Sequence, residues 1–482
     1  MDSVSSLRRQ HRFNDHQRPQ YHFLPPANWM NDPNGLIQWD GQYHLFYQYN
    51  PDGAYHANMH WGHAVSSDLI HWTDLPIALK PTPGGWDEGG CWSGCAINNN
   101  GVPTLMYTGV RGKRGENQAQ GIATSSDNLL TWQQYPANPV ISQIPAEARQ
   151  RRDFRDPFVW REDDGWYLLL ASRVEGIGGT VFLYRSPDLI HWEYLNPLLI
   201  GRMEQTGRTW ECPNFFRLGD KWVLILSAHI DPERTAKVFY FVGEYKEHRF
   251  FPEVEGIFDY GVLYAPLTMQ DDRGRRLLWG WLREDRTVEK QLAAGWSGVQ
   301  SIPRVLTLLP DHRLGTTPAP EVEQLRGEHQ RYADISLSTL AEEMRLEPDG
   351  HALDIVAEFE PGQKGLFGLS VLATPDGQER TRILYDAPTQ RLIVERMQSS
   401  LADGVNPYAH AAPHPLMPGE RLQLRILLDG SVIEIIANQR TSIVSRAYPT
   451  RTDSTGLTLF AHNSDGHLAS LEVWKMASIW PV

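Results

Sequence analysis

A seven-residue motif that recurs along the chain constrains its fold more than any other feature of the sequence. The segment Ser66–Trp72 reads SSDLIHW, and the segment Ser186–Trp192 reads SPDLIHW. A looser copy, Ser125–Trp132, lies between them, so the three motif tryptophans are 60 and 60 residues apart. Signatures that recur at a fixed period usually serve packing between successive structural units. We therefore interpret these tryptophans as residues that pack one unit against the next.

Short apolar and aromatic runs repeat with a similar period and predict β-strands. Most of them follow a glycine or aspartate turn signal. Aligned on their central leucines, the five runs have spacings of 60, 63, 56 and 54 residues. Five all-β units of this size predict a five-bladed β-propeller of four-stranded blades over residues 20–312. The runs are Tyr43–Tyr47, Thr104–Tyr107, Trp166–Leu170, Trp222–Leu226 and Arg276–Trp279.

The last third of the chain differs in character and predicts a second domain. Residues 313–334 read as a proline-rich and then charged linker, with one helical turn near Val322–Arg326. Beyond it, apolar residues alternate along predicted strands, and Asp-Gly pairs mark the turns between them. We therefore predict an all-β protein with an N-terminal extension (1–19), a propeller (20–312), this linker and a β-sandwich (335–482).

Composition and charge narrow the classes of function. The 482 residues include 45 basic and 58 acidic side chains, a net charge of −13. Such an acidic chain repels phosphate groups, so we expect neither nucleic acid nor membrane as a partner. No apolar run reaches the ~18 residues that span a bilayer. The polar N-terminal segment has no apolar signal region, and the 3 cysteines form no obvious disulfide framework. We therefore expect a cytoplasmic protein.

Acidic residues occupy the same register in three of the five predicted units. Asp32, Asp156 and Glu211 lie 13, 12 and 13 residues before the central leucine of their units. Trp92 and the pair Tyr264/Ala265 hold this place in the other two units. Equivalent positions of successive propeller blades are related by rotation about the central axis. On the innermost strands, the side chains at these five positions would face one another across the channel.

Each acid alone has a simpler explanation, because Asp-Pro and Asn-Gly pairs commonly form turns. Converging carboxylates repel one another, however, so three together indicate a function. Glycosidic bond cleavage fits, because it uses one acid for the leaving oxygen and one carboxylate as nucleophile or base. A third carboxylate could accept hydrogen bonds from sugar hydroxyls. Binding of Mg²⁺ or Ca²⁺ is the competing use, which Arg155 disfavours because a guanidinium repels a cation.

Three other clusters are weaker candidates for a site: the histidines His56, His60 and His63; the cysteine pair Cys91 and Cys95; and a basic patch of Arg111, Lys113 and Arg114. The histidines have the spacing of metal ligands on a helix, but their segment reads as strand or loop. The cysteine pair has no second pair to complete a zinc site. The basic patch is explained more simply as a solvated loop than as a phosphate site. We therefore predict no metal site.

Three motifs make the chain resemble glycoside hydrolase family 32, the invertase and fructanase family. Trp29–Gly35 (WMNDPNG) looks like the family's nucleophile motif, Phe154–Pro157 (FRDP) like its transition-state stabiliser motif, and Trp210–Pro213 (WECP) like its acid/base motif. The resemblance covers nearly the whole chain and implies a five-bladed propeller followed by a β-sandwich. Further similar stretches are Phe46–Pro51, Trp61–Ala64, Trp92–Gly94, Phe258–Gly261, Tyr264–Pro266, Ser301–Arg304 and Asp429–Glu434.

The resemblance implies a retaining hydrolase that releases β-D-fructose from the non-reducing end of sucrose or related β-fructosides, without a cofactor. Asp32 would attack the anomeric carbon, Glu211 would act as general acid/base, and Asp156 would bind fructose hydroxyls in the transition state. The charge of Asp32 is expected to raise the pKa of Glu211 and keep it protonated. The residues implied to shape the fructose pocket are Asn31, Gln48, Trp61, Trp92, Ser93, Arg155 and Tyr264.

Several alternatives stay open at this point. The stretch Gly261–Leu263 departs from the family, which usually has an acidic or aromatic residue before the tyrosine, so the leaving-group side is not predicted. Within the family, a fructosyltransferase and an exo-fructanase acting on inulin or levan are alternatives to a hydrolase of sucrose or sucrose phosphate. An arabinan-type hydrolase has different motifs. A non-catalytic carbohydrate-binding protein is disfavoured because all three acids are present.

Overall fold

Five consecutive antiparallel sheets, which we number I to V, make up the first part of the chain. The computed structural model describes residues 15–112, 115–230, 236–340 and 343–480. Each sheet corresponds to one predicted repeat unit. Sheet I contains β1 (Asn28–Trp39), β2 (Gln42–Asn50), β3 (His60–Ser66) and β4 (Thr73–Leu79). Sheet II contains β5 (Gly90–Asn99), β6 (Val102–Val110), β7 (Gln118–Thr124) and β8 (Gln133–Gln134).

The next three sheets repeat this up-and-down order. Sheet III contains β9 (Phe154–Glu162), β10 (Gly165–Val174), β11 (Gly178–Ser186) and β12 (Glu193–Ile200). Sheet IV contains β13 (Thr209–Leu218), β14 (Lys221–His229), β15 (Ala236–Lys246) and β16 (Arg249–Asp259). The remaining strands of this region are β17 (Leu263–Gln270), β18 (Arg276–Leu282), β19 (Trp296–Ser297), β20 (Val299–Gln300), β21 (Arg304–Leu308) and β22 (Leu314–Pro318). Sheet V has the order β17-β18-β21-β22.

The first strand of each sheet contacts the first strand of the next, so the sheets form a ring. These contacts run from β1 to β5, β9, β13 and β17, and β17 in turn contacts β1. The five predicted apolar runs all lie in second strands, which are almost entirely buried. The first strands are therefore innermost, and the predicted β-propeller fold is confirmed.

Two short strands close the ring between sheets V and I. β19 pairs with β1 in parallel, and β20 pairs with β18. Gly298, which lies between them, has a φ of +81°, and a Cβ on it would lie 1.9 Å from the carbonyl oxygen of Met30. Only glycine fits both the left-handed backbone and this close approach.

The recurring sequence motif forms the turn between the third and fourth strands of its sheets. In sheet I, the Asp68 carboxylate accepts hydrogen bonds from the backbone N–H groups of Ile70 and His71, and Trp72 is buried. Asp188 makes the same contacts in sheet III. The motif is thus an aspartate-capped turn followed by a packing tryptophan, as we interpreted it.

Two six-stranded antiparallel sheets form the β-sandwich. One has the order β23-β34-β25-β30-β31-β32 and the other β24-β33-β26-β27-β28-β29. The apolar core between them is separate from that of the propeller. The strands are β23 (Arg326–Ser336), β24 (Met344–Leu346), β25 (Ala352–Glu360), β26 (Leu366–Ala373), β27 (Thr381–Asp386), β28 (Arg391–Glu395), β29 (His410–Pro413), β30 (Leu422–Asp429), β31 (Val432–Ala437), β32 (Thr441–Arg446), β33 (Gly456–His462) and β34 (His467–Met476).

Helices are few and short. The described residues contain the α-helices α1 (Met203–Thr206) and α2 (Val288–Ala294) and 3₁₀ turns at Ala146–Ala148, Pro320–Leu325 and Leu337–Thr339. The second 3₁₀ turn is the helical turn predicted from the sequence. Among the described residues, no helix is long and apolar enough to cross a membrane.

The structure corrects the predicted linker at residues 313–334, most of which belongs to two strands. β22 is the edge strand of sheet V, and β23 is the edge strand of one sandwich sheet. Only the 3₁₀ turn and its flanking residue connect the two domains, so the propeller reaches Pro318 and the sandwich begins at Arg326. Of the predicted extension, residues 1–14 lie outside the described residues, and Gln17 binds the sandwich through Ser431 and Pro449.

A buried ionic network joins the N-terminal segment, the propeller and the sandwich. The Asp429 carboxylate accepts hydrogen bonds from three successive backbone N–H groups and from His22 Nδ1 at 2.8 Å. His22 Nε2 lies 3.1 Å from Glu434, whose carboxylate also accepts bonds from Arg304 and from a propeller backbone N–H. We call these four side chains the interface network; none has exposed surface.

Candidate active site

The first strand of every propeller sheet carries a β-bulge at the same place. A proline lies at four of these bulges and a glycine at the fifth, where the interrupted ladder tolerates a missing N–H or side chain. A bulge increases the local twist and re-aims a side chain, here toward the channel. The pairing with the second strand shifts after Met30, Trp92, Arg155, Glu211 and Tyr264.

An open cavity of about 1260 Å³ lies over these bulges. All five first strands contribute to its wall. The structure thus brings together the three carboxylates that share a register in the sequence. The lining residues from these strands are Asn31, Asp32, Trp92, Ser93, Arg155, Asp156, Thr209, Glu211, Cys212 and Tyr264.

The Asp32 carboxylate is held by donors from two neighbouring sheets. Ser93 Oγ donates to Oδ2 at 2.5 Å, and Asn31 Nδ2 donates to Oδ1 at 2.9 Å. Asn31 is itself fixed by the Trp29 indole N–H at 2.7 Å. Burial raises the pKa of Asp32, although the hydrogen bonds from Ser93 and Asn31 oppose this. The carboxylate therefore has a defined orientation, which a nucleophile requires.

Asp156 is the carboxylate whose charge is least favoured in the cluster. Its backbone is left-handed, with a φ of +60°, and its Oδ2 accepts a 2.9 Å bond from the Cys212 N–H. Burial raises the pKa of Asp156, Arg155 opposes this, and the charges of Glu211 and Asp32 raise it further, to about 7. Non-glycine residues in such a backbone conformation cluster at functional sites.

Three donors converge on the Glu211 carboxylate. Arg155 Nη2 donates to Oε1 at 2.6 Å, while the Tyr264 hydroxyl and His229 Nε2 donate to Oε2 at 2.5 and 2.9 Å. Burial by itself would raise the pKa of Glu211, but Arg155, His229 and Tyr264 together hold it well below its ordinary value. The expectation that Asp32 raises the pKa of Glu211 is therefore wrong in this structure, because three donors outweigh one charge.

Two family models match the chain in the same order as its two domains. The N-terminal domain of "Glycosyl hydrolases family 32" matches residues 22–318, and the C-terminal domain of that family matches residues 321–475. The chain belongs to glycoside hydrolase family 32. The resemblance carried by the three motifs is confirmed, and the two matched ranges meet at the 3₁₀ turn between propeller and sandwich.

Relatives in family 32 share both domains with this chain. An acid beta-fructofuranosidase from Vicia faba is 33% identical, covering 96% of this chain and 81% of the relative. A sucrose-6-phosphate hydrolase from Zymomonas mobilis is also 33% identical, with 95% and 92% covered. Among solved structures, fructan 1-exohydrolase IIa from Cichorium intybus superposes with a TM-score of 0.86 at 28% identity, covering 96% of this chain and 98% of that one. The similarity extends through both domains, so the propeller-plus-sandwich fold is shared.

Six of the seven residues predicted to shape the fructose pocket line the cavity: Asn31, Gln48, Trp92, Ser93, Arg155 and Tyr264. Trp61 is the exception. It has no exposed surface and does not belong to the wall, and its indole N–H donates to the Trp92 carbonyl at 3.0 Å. Trp61 can therefore shape the pocket only from behind, by holding the strand that carries Trp92 and Ser93.

Other residues of the cavity wall are not predicted from the sequence. His229 contacts Glu211, Arg283 lies 5.5 Å above the Tyr264 ring, and Asp153 accepts a 2.9 Å bond from Arg155. A two-residue turn joins β13 and β14, and Leu218 pairs with Lys221 across it. This turn is the sequence signal from which the position of His229 follows. Counting away from the turn along both strands, with the bulge of β13 included, places His229 beside the acid/base motif.

The weaker candidates of the sequence do not assemble into sites. His63 is buried and stacks on Phe46, while His56 lies at the cavity wall. Cys91 contacts Asp87, and all 3 cysteines are free. Arg111 is exposed and pairs with Glu88, whereas Lys113 and Arg114 lie outside the described residues. Among the described residues, no group of three or more His, Cys, Asp or Glu could hold a metal ion.

Proposed function

We propose that this family 32 enzyme releases β-D-fructose from the non-reducing end of sucrose or related β-fructosides, with retention of configuration. The observation that carries the proposal is the convergence of Asp32, Asp156 and Glu211 from three sheets on one cavity. Three converging acids match the chemistry of glycosidic cleavage, and a guanidinium among them does not match a cation site. The printed names of the relatives support fructosides as the substrate class.

In the proposed first step, Asp32 attacks the anomeric carbon of fructose and the glycosidic bond breaks. Glu211 takes up a proton from solvent when Arg155 releases its Oε1. This proton moves to the departing oxygen, and a covalent fructosyl-Asp32 ester remains. In the second step, Glu211 removes a proton from water, the water oxygen bonds to the anomeric carbon, and the ester bond breaks. Asp156 binds the fructose hydroxyls more tightly as positive charge develops on the sugar.

Transfer of fructose to a second sugar is the alternative outcome of the same intermediate. A volume of about 1260 Å³ exceeds that of a typical small-molecule pocket, about 300–1000 Å³. The cavity therefore has room for an acceptor sugar beside the bound fructosyl group. We propose hydrolysis as the main reaction and transfer as the reaction favoured at high sugar concentration.

The test is the product formed from sucrose in water containing methanol. We expect release of fructose and formation of methyl β-D-fructofuranoside, identified by NMR, because two displacements restore the β configuration. Methyl α-D-fructofuranoside would contradict the double displacement. No cleavage of sucrose, sucrose phosphate, inulin or levan would contradict the enzymatic function and favour a carbohydrate-binding protein.

A further inference from the structure

The two oxygens of the Glu211 carboxylate have unequal surroundings. Oε2 accepts two hydrogen bonds, from the Tyr264 hydroxyl at 2.5 Å and from His229 Nε2 at 2.9 Å. Oε1 accepts one, from Arg155. A carboxylate oxygen that faces two donors has no favourable place for a proton of its own. The geometry therefore distinguishes the oxygen that carries the acid proton from the one that is held.

The register of sheet IV explains why His229 reaches this carboxylate. Thr209 pairs with His229, and Glu211 pairs with Ser227, so Glu211 and His229 are diagonal neighbours on one face of the hairpin. The His229 side chain is 33% exposed and lines the cavity. Because its Nε2 faces a carboxylate, this nitrogen must be the donor.

We propose that His229 is a positioning residue for Glu211, which together with Tyr264 occupies Oε2 and leaves Oε1 to exchange the proton with the leaving group and with water. This inference rests on the proposed function, in which Glu211 is the general acid/base. His229 itself forms and breaks no bond in either step. Arg155, the donor to Oε1, must release that oxygen when it takes up the proton.

Several charges face Glu211, so the effect of His229 has to be separated from theirs. Arg155 and Tyr264 hold the pKa of Glu211 down together with His229. Removing the His229 donor should therefore raise the pKa of Glu211 while the other groups stay in place. The titratable and charged groups around Glu211 are Asp32 from β1, Arg155 and Asp156 from β9, Cys212 from β13, His229 from β14 and Tyr264 from β17.

The test compares His229→Leu with His229→Gln, since the glutamine amide can place an N–H where the imidazole Nε2 lies. For His229→Leu on sucrose, we expect kcat to fall roughly tenfold, a part of what a general acid contributes. We also expect the basic limb of kcat/KM to move up by roughly one pH unit. His229→Gln should restore both values. In the first displacement on fructosyl fluoride, whose leaving group needs little proton transfer, the burst of fluoride release by His229→Leu should be as fast as that of the wild type.

Three outcomes would overturn the proposal: a wild-type rate and pH profile for His229→Leu, a glutamine variant as impaired as the leucine variant, or a loss in the fluoride burst equal to the loss on sucrose. Should His229→Leu unfold, His229→Asn serves instead, because its shorter amide cannot reach Oε2. A Glu211→Gln variant with full activity on sucrose would instead contradict the proposed function. When Glu211 is already replaced by Gln, adding His229→Leu should not lower the rate on sucrose any further.

Discussion

Two of the sites where the protein buries carboxylates, the interface network and the cavity, hold them in opposite ways. In the interface network, Glu434 accepts bonds from His22 and Arg304, and these partners outweigh burial and lower its pKa to about 2. In the cavity, burial and two neighbouring acids raise the pKa of Asp156 to about 7 despite Arg155. The interface matches negative charge with positive charge, whereas the cavity crowds like charges. The first arrangement stabilises the fold, and the second keeps carboxylates available for a reaction at the expense of stability.

The two histidines differ in the same way. Both ring nitrogens of His22 face carboxylates, so the imidazolium is favoured. Burial alone would lower the pKa of His22, but its hydrogen bonds to Asp429 and Glu434 raise it to about 9. His229 contacts a carboxylate through one nitrogen only, and the other finds no hydrogen-bond partner among the described residues. The fully paired His22 joins two domains, whereas we propose that the half-paired His229 positions a reacting group.

Glu434→Gln should produce the largest loss of stability, because it leaves Arg304 and His22 buried beside an amide. Removing one partner of a buried ion pair typically destabilises by about 3–5 kcal/mol. Thermal unfolding followed by calorimetry would measure the loss. Glu358→Gln is the matched control, since its pair with Arg421 is partly exposed and should change stability by less than ~1 kcal/mol. Equal effects at both positions would refute the contrast between buried and exposed pairs.

His22→Gln should destabilise the protein in a way that depends on pH. The folded-state pKa of His22 is raised, so its contribution is fully present below about pH 6.5 and is lost as the pH rises through about 9. We expect a loss on the order of 2–3 kcal/mol at pH 6 that shrinks toward pH 10. Unfolding midpoints of variant and wild type across this range give the comparison. A constant difference would show that His22 acts through packing and not through charge.

Asp156→Asn should increase the stability of the fold, in contrast with the two preceding variants, and it should also disable the reaction. Because the folded-state pKa of Asp156 is raised, its charge destabilises the protein as the pH rises from about 4 through about 7. The variant should therefore be more stable at pH 8, by on the order of 1–2 kcal/mol, and unchanged at pH 4.

The same Asp156→Asn variant should lose kcat far more than it weakens ground-state binding. Calorimetric unfolding and steady-state kinetics on sucrose measure the two effects. A variant that is less stable at pH 8, or that keeps its kcat while KM rises, would contradict the assigned role.

Excess chelator should have no effect on activity, which is the smallest change we predict. Among the described residues no metal-ligand cluster is present, and Arg155 lies among the acids that could otherwise bind a cation. Initial rates on sucrose with and without EDTA test this. Loss of activity that Ca²⁺ or Mg²⁺ restores would show that the cavity carboxylates bind a metal.

The sequence predicts the propeller and the meeting of three acids because both follow from one period. A repeat unit fixes which strand each acid lies on, and rotation about the propeller axis then brings the three acids together at the channel. The same period also marks the β-bulges, since Pro33, Pro157, Pro213 and Pro266 recur beside the aligned positions. Periodic features are thus readable along one chain.

Features that depend on contacts between strands were missed or wrong. The pKa of Glu211 depends on His229 and Tyr264, which reach it from two other strands. The predicted linker contains β22, because an edge strand tolerates the glycine and proline that suggested a loop. Trp61 matches a family motif, but only the fold shows that it lies behind the wall.

The central claim, that Asp32 is the nucleophile and Glu211 the acid/base, is tested most directly by trapping the covalent intermediate. A general acid contributes about 10²–10⁴-fold for a poor leaving group such as a sugar alkoxide, and little for fluoride. A nucleophile is needed for every leaving group. We therefore expect Glu211→Gln to lose most activity on sucrose but to form a fructosyl adduct from fructosyl fluoride. Asp32→Asn should fail on both substrates.

The measurement is mass spectrometry of rapidly quenched protein, after each variant has reacted with each substrate. We predict a mass increase of one fructosyl group in Glu211→Gln treated with fructosyl fluoride, located by peptide mapping on Asp32. Asp32→Asn should show no such adduct with either substrate. An adduct in Asp32→Asn, or none in Glu211→Gln, would contradict the assignment of the two roles.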